Sequence, residues 1–297
     1  MRIQAALVES PGGPFTIQDL DLDAPRPDEV LVRITAAGIC HTDLSMRQIW
    51  PQERLPMVFG HEGAGFVEAV GDAVTTIVPG DAVCLTYRSC SSCEQCTTGG
   101  PAYCEHAGAL NVSGSRPDGS TPLSRPDGTP VYGSFFGQSA FATHCLTYES
   151  NTIKVPAELP PIVAAPLGCS VQTGVGTVRN VLRPSPGTAL AVFGAGSVGL
   201  SAVMAAVAEG CTVVAVDPIA HPCPASSTRS YLAGLQPCGP IIRLSSLHPA
   251  SSRLLTGPGH RDPLRRRSPA RCAGCPPSTS RPWGHCGAHG RPARCRC

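Results

Sequence analysis

Apolar and polar positions alternate with a period of two over Val30–Ala36. Val30, Val32 and Ile34 fall on one face, Leu31, Arg33 and Thr35 on the other, which predicts a strand. Turn residues at Gly60–Gly65, Val70-Gly71-Asp72 and Pro79-Gly80-Asp81 separate further short apolar runs, so residues 1–150 read as many short strands. The polar stretch Asn111–Thr129 carries Arg-Pro-Asp-Gly twice, from Arg116 and from Arg125, and reads as a turn-rich loop. Phe135–Val155 returns to strand-like composition, Pro156–Pro161 reads as a linker and Leu167–Leu182 as a helix. Gly187 opens a second region. It holds a buried strand over Ala189–Phe193, a glycine-rich turn over Gly194–Gly199, a helix to Glu209, and a strand over Thr212–Val216 that ends in Asp217. Ala189–Ala208 is uncharged over 20 residues, the length of a membrane span. Its glycines and serines at 194, 196, 197, 199 and 201 fit strand–turn–helix better, and nothing flanking it resembles an anchor.

Past Asp217 the periodicity stops. Residues 218–297 hold 12 arginines against one acid, Asp262, with 13 prolines, 7 cysteines and 5 histidines. Residues 1–217 are net −9, whereas this segment is net +11. Prolines at this density block helices and most strands, no pattern buries a face, and the segment is expected to be disordered. The chain has a single lysine, Lys154, among 22 arginines, a bias that points to a GC-rich gene. A reading-frame shift near residue 221 explains such a seam. Cys272, Cys275, His285, Cys286 and His289, and the run Arg265–Arg267, then count as coincidences rather than as a zinc knuckle or a nucleic-acid contact.

Over all 297 residues the net charge is +2, which gives no basis for a nucleic-acid partner. The opening MRIQAALVES lacks the basic and apolar regions of a signal peptide, so the chain is read as cytoplasmic, where thiols stay reduced. The 16 cysteines are then better explained by metal than by disulfides. Cys90, Cys93, Cys96 and Cys104 have the spacing of a closed tetrahedral thiolate site, suited to a structural zinc. A second set is dispersed: Cys40 in Ile39-Cys40-His41-Thr42-Asp43, His61 in Gly60-His61-Glu62-Gly63, and Cys169. One histidine and two cysteines are the ligand number of a catalytic zinc with an open position, although spacing alone does not bring them together.

The strand, the turn Gly194-Ala195-Gly196-Ser197-Val198-Gly199, the helix and the acid Asp217 form a dinucleotide-binding pattern. Gly194 serves the tight turn, Gly196 the approach of backbone to a pyrophosphate, and Gly199 the packing of the helix. A helix N-terminus favours phosphate. Asp217 would bond ribose hydroxyls and repel a 2′-phosphate, favouring NAD over NADP.

Over residues 1 to about 221 these segments resemble the zinc-dependent medium-chain alcohol dehydrogenases. The resemblance implies a mixed α/β chain. Residues 1–155 would be a GroES-like, β-barrel-type catalytic domain. Residues 156–217 would be a linker helix and the start of a Rossmann domain, followed by the atypical tail 218–297. It implies a catalytic zinc on Cys40, His61 and Cys169, with Glu62 able to approach the metal, and a structural zinc on the Cys90 cluster. Asp43 would orient His61. Thr42 would take the substrate proton; Ser45 stands where many relatives have the histidine that ends the relay, so the relay would end differently, in water. His41 would contact the cofactor pyrophosphate, and Val198 and Thr173 the nicotinamide. The implied reaction is oxidation of a primary alcohol to the aldehyde by NAD, and Gly133–Ser150 resembles the aryl- and benzyl-alcohol branch. The implied partners are a small alcohol or aldehyde, without membrane or nucleic acid, and a homo-oligomer for intact members of the family. The rival reading is a zinc-binding remnant without turnover; a weaker third is a reductase or dehydratase-like relative.

Overall fold

The computed structural model describes residues 1–217. The expectations for 218–297, namely disorder, a frame shift and coincidental cysteine and histidine spacing, lie outside the described residues. In chain order the strands are β1 (Arg2–Val8), β2 (Thr16–Leu22), β3 (Glu29–Ala37), β4 (Met57–Val58), β5 (Gly63–Val70), β6 (Ala82–Leu85), β7 (Leu123–Ser124), β8 (Pro130–Val131), β9 (His144–Tyr148), β10 (Thr152–Lys154), β11 (Ala189–Phe193) and β12 (Thr212–Val216). The helices are α1 (His41–Ile49), α2 (Glu94–Thr97), α3 (Ala107–Asn111), α4 (Pro161–Ala164), α5 (Ser170–Gly176) and α6 (Ser197–Ala208).

Two five-stranded antiparallel sheets, ordered β4-β1-β2-β7-β8 and β10-β6-β5-β3-β9, build the first 155 residues. The segment between them ties the sheets together: Ala6 donates to Phe141 O, Thr143 donates to Gln4 O, and Ile34 donates to Thr143 O. Barrel-like closure of this kind leaves few open edges. Strand β3 departs from simple alternation. Its first four residues are buried, and exposure alternates only from Arg33 onward. Val30 and Val32 join Val67, Val83, Leu85 and Cys145 in one core, while Leu31 joins Ile3, Leu7, Leu20 and Leu146 in the other. A strand covered on both faces reads as a continuous apolar run.

A third cluster is aromatic. Trp50, Phe59 and Phe135 meet edge to face with centroids 5.1–5.6 Å apart, a favourable arrangement of ring quadrupoles. Phe135–Gly137 is a tight turn rather than the strand expected there, with Ser134 and Phe136 in left-handed conformations (φ 59° and 52°). Between Pro156 and Leu182 the boundaries also shift. Pro161, read as linker, is the first residue of α4, where its missing N–H costs nothing. The helix expected over Leu167–Leu182 breaks at Cys169 (φ −139°, ψ −80°), and α5 starts after it and widens at its end to Leu182.

The two Arg-Pro-Asp-Gly tetrapeptides form the same closed turn. Gly119 donates to Arg116 O and Gly128 to Arg125 O, both glycines having φ near 85°. In the second region β11 and β12 pair in parallel, and α6 packs on them through Ala205 and Ala206. The expectation that β11 is buried is corrected: Ala189, Ala191 and Phe193 are exposed, because the described residues cover only one face of this pair. Among the described residues no helix is long and apolar enough to cross a membrane.

Candidate active site

The dispersed ligand set converges. One side-chain atom from each of Cys40, His61, Glu62 and Cys169 lies within 4.8 Å of the others. Cys40 precedes α1, His61 and Glu62 lie on the turn entering β5, and Cys169 occupies the break before α5. Three separate chain segments therefore have to be in place before the set exists.

Asp43, fully buried in the first turn of α1, organises the near side. Its Oδ2 accepts the Cys40 N–H (3.1 Å), and its Oδ1 accepts the Gly60 N–H (3.1 Å) and pairs with His61 Nδ1 (2.9 Å). With Nδ1 donating to the carboxylate, Nε2 is the nitrogen left to face Cys169 Sγ, 3.3 Å away. Burial, reinforced by Cys40 and Glu62, pushes the Cys169 thiol well above its ordinary range. Two sulfurs, an imidazole and a carboxylate crowded together are a donor set that a divalent cation would balance, and the sulfur and nitrogen atoms suit zinc.

The Cys90, Cys93, Cys96 and Cys104 sulfurs form the second group, also within 4.8 Å of one another. Backbone N–H groups hold it: Cys93 donates to Cys90 Sγ (3.2 Å) and Cys90 to Cys104 Sγ (3.3 Å). Hydrogen bonds from Ser92 and Cys93 lower the Cys90 thiol to about 5. Loss of solvent and the neighbouring sulfurs of Cys93 and Cys104 push Cys96 up to about 12. Four closely packed thiols fit a closed zinc site.

A cleft of about 500 Å³ lies between the two regions, lined on one side by Ile39, Cys40, His41 and Ser170 and on the other by Gly194, Gly196, Ser197, Val198 and Gly199. Gly194 has φ +96°, and a Cβ on Gly199 would stand 1.8 Å from the Gly194 carbonyl oxygen. Only glycine allows this turn and this close start of α6. Asp217 directly follows β12, and its Oδ2 accepts the Ala195 N–H of the turn (2.7 Å). Thr42 and Ser45 are half-buried on α1, and His41 is exposed at its start. Thr173 is exposed on α5, with its hydroxyl donating to Cys169 O (2.8 Å).

Four residues of this site escaped the sequence reading. Gln138, 1% exposed, donates to His61 O (3.0 Å) and accepts the Gly63 N–H (3.1 Å), so it grips both ends of the turn that carries His61 and Glu62. Ser170 donates its N–H (3.1 Å) and its hydroxyl to Glu62 Oε1. Gly38 leaves room for the Glu62 carboxylate. Phe136 lies across His61, with ring centroids 4.6 Å apart and planes tilted by 31°. Only Ser170 carried a signal, its adjacency to Cys169.

Comparison with known proteins agrees with this geometry. Residues 26–157 match the alcohol dehydrogenase GroES-like domain. The chain is 46% identical to geraniol dehydrogenase of Castellaniella defragrans over 217 residues, 72% of this chain and 58% of that protein. Among solved structures it resembles an alcohol dehydrogenase zinc-binding domain protein from Burkholderia ambifaria (49% identity, TM-score 0.72, covering 74% of this chain and 60% of that one). It also resembles benzyl alcohol dehydrogenase from Acinetobacter calcoaceticus (43% identity, TM-score 0.70, covering 74% and 59%). The chain thus spans less than two thirds of the length of each of these relatives.

Proposed function

Since residues 26–157 are an alcohol dehydrogenase GroES-like domain and the described chain is related throughout to zinc-type alcohol dehydrogenases, we propose that it serves NAD-dependent oxidation of a primary, aromatic alcohol to its aldehyde. The observation that carries this reading is the convergence of Cys40, His61, Glu62 and Cys169 beside the cleft that Cys40 shares with the glycine-rich turn.

Cys40, His61 and Cys169 would hold the catalytic zinc, and Cys90, Cys93, Cys96 and Cys104 the structural one. Zinc would supply Lewis acidity that lowers the pKa of an alcohol, and NAD would supply the hydride acceptor. Thr42 takes the alcohol proton and Ser45, one turn further along α1, passes it to water. Asp43 keeps His61 in one tautomer and one orientation. His41 and the backbone of Gly194–Gly199 would receive the pyrophosphate, Thr173 and Val198 would meet the nicotinamide, and Asp217 would receive the ribose hydroxyls. Phe136, with Phe135 at 4.9 Å and Tyr87 at 6.5 Å, forms an apolar wall over His61 that excludes water and stacks an aromatic substrate. The similarity to benzyl alcohol dehydrogenase supports that substrate class.

A second reading, zinc binding without turnover, draws on the exposure of Ala189, Ala191 and Phe193, because a cofactor bed with one uncovered face is poorly braced. One experiment separates the two. Metal analysis of the purified chain should give two zinc ions, and benzyl alcohol with NAD should yield NADH. Two zinc ions without NADH selects the second reading, and folded protein with no zinc overturns both.

A further inference from the structure

Glu62 is a buried carboxylate set among metal-ligand atoms, and such a group could fill the position that a substrate needs. Its two oxygens are held differently. Oε1 accepts two hydrogen bonds, from the N–H of Ser170 at 3.1 Å and from the Ser170 hydroxyl. Oε2 lies over Gly38, where a Cβ would stand 2.0 Å from it and 3.1 Å from the Glu62 Cβ. Gly38 also donates its N–H to Glu62 O (2.9 Å). The carboxylate thus sits in a built berth. One wall is a residue without a side chain, the other a serine that is itself only 4% exposed.

We propose that Ser170 is a positioning residue that holds Glu62 back from the metal, so that the position facing the cleft stays open to an outside ligand. The proposal rests on the reading of Cys40, His61 and Cys169 as zinc ligands. A carboxylate oxygen that accepts two donors, one of them a hydroxyl, has less electron density to offer a cation. Removing the hydroxyl frees that density and lets Glu62 swing on its side chain into the remaining position. Ser170 directly follows Cys169, so the residue that supplies a ligand also carries the restraint on its competitor.

The test uses the full chain loaded with cobalt(II), with imidazole as the outside ligand, titrated by visible absorbance. Ser170→Ala should weaken imidazole binding about ten-fold, the order expected for one hydrogen bond to a charged group. Ser170→Thr, which keeps the hydroxyl, should stay within about two-fold of the parent on the same scale. In a Glu62→Gln background the alanine substitution should have no effect, because the competing carboxylate is gone; this coupling is what a merely structural role would not produce. Unchanged affinity in Ser170→Ala, or an equal loss in the Glu62→Gln background, overturns the proposal. If the alanine variant does not fold, Ser170→Cys, which fills the same space but replaces the hydroxyl with a much weaker donor, carries the same expectation. The premise is read separately: Cys40→Ser should lose one bound cobalt ion. If it does not, the zinc reading itself fails.

Discussion

The two ligand clusters contain similar atoms but are built in opposite ways. Cys90, Cys93, Cys96 and Cys104 belong to one loop, and its own N–H groups turn toward the sulfurs. The other cluster joins His61 to Cys169, 108 positions apart, and side chains hold it: Asp43 on His61, Ser170 on Glu62, and Gln138 on the turn between them. The loop cluster can assemble wherever its loop goes. The dispersed cluster requires β5, α1 and α5 to be in place first. On the proposed assignment, metal would act as a fold-maker in one case and as an occupant of a finished fold in the other.

The largest expected effect tests the first half of that contrast. Cys93→Ser should cost the chain one zinc ion and leave residues near 88–112 open to limited proteolysis, because the binding energy of a closed zinc site, on the order of 10 kcal/mol, is folding energy. Loss of both zinc ions would show that the clusters depend on each other and would break the comparison. A smaller effect tests the second half. Asp43→Asn should weaken metal at the dispersed site by about 10- to 100-fold while the loop cluster keeps its ion, as measured by titration against a competing chelator. Equal weakening at both would mean that Asp43 supports the fold rather than His61. The smallest effect lies outside both clusters. Asp217→Ser should leave two zinc ions bound and raise NADP affinity relative to NAD by about ten-fold, since it removes a like charge beside the 2′-phosphate. Fluorescence titration with the two cofactors reads this directly, and a loss of zinc in that variant would contradict the independence of Asp217 from the two ligand clusters.

Legibility in the sequence followed the range of the interactions. The Cys90 cluster and the unit from Ala189 to Asp217 were readable because spacing, period and turn chemistry are local. The strand, helix and strand were found at β11, α6 and β12. Burial was less readable. The paired Arg-Pro-Asp-Gly turns show why, for they have identical residues and nearly identical geometry. Yet Arg116 is 2% exposed and bonds Glu29 and Asp23, whereas Arg125 lies at the surface against Glu9. Burial alone would lower the Arg116 pKa, but its hydrogen bonds to Glu29 and Asp23 outweigh that and raise it. Nothing within either tetrapeptide distinguishes the two; the carboxylates that do so are Glu29 at the start of β3, Asp23 just after β2 and Glu9 just after β1. The same holds for Gln138, Ser170 and Gly38, whose roles arise only when distant segments meet. The convergence of Cys40, His61, Glu62 and Cys169 was legible through family resemblance, not through spacing.

Strand β3 sets a timetable. One of its neighbours, β5, follows it closely in the chain, but the other, β9, pairs Tyr148 with Glu29 and Cys145 with Val32. As the chain emerges from the ribosome, the backbone groups on the β9 side of β3 have no partner until His144–Tyr148 has been made, and each of the two cores that β3 divides waits for one β9 side chain, Cys145 or Leu146. Long-range pairing of this kind is slow, and an unpaired strand edge is the part of a nascent chain most prone to stick to another copy. Both candidate metal-ligand groups lie inside or beyond that interval, so the polar loop from Cys90 to Thr129 is also a delay, during which β3 keeps one edge unpaired.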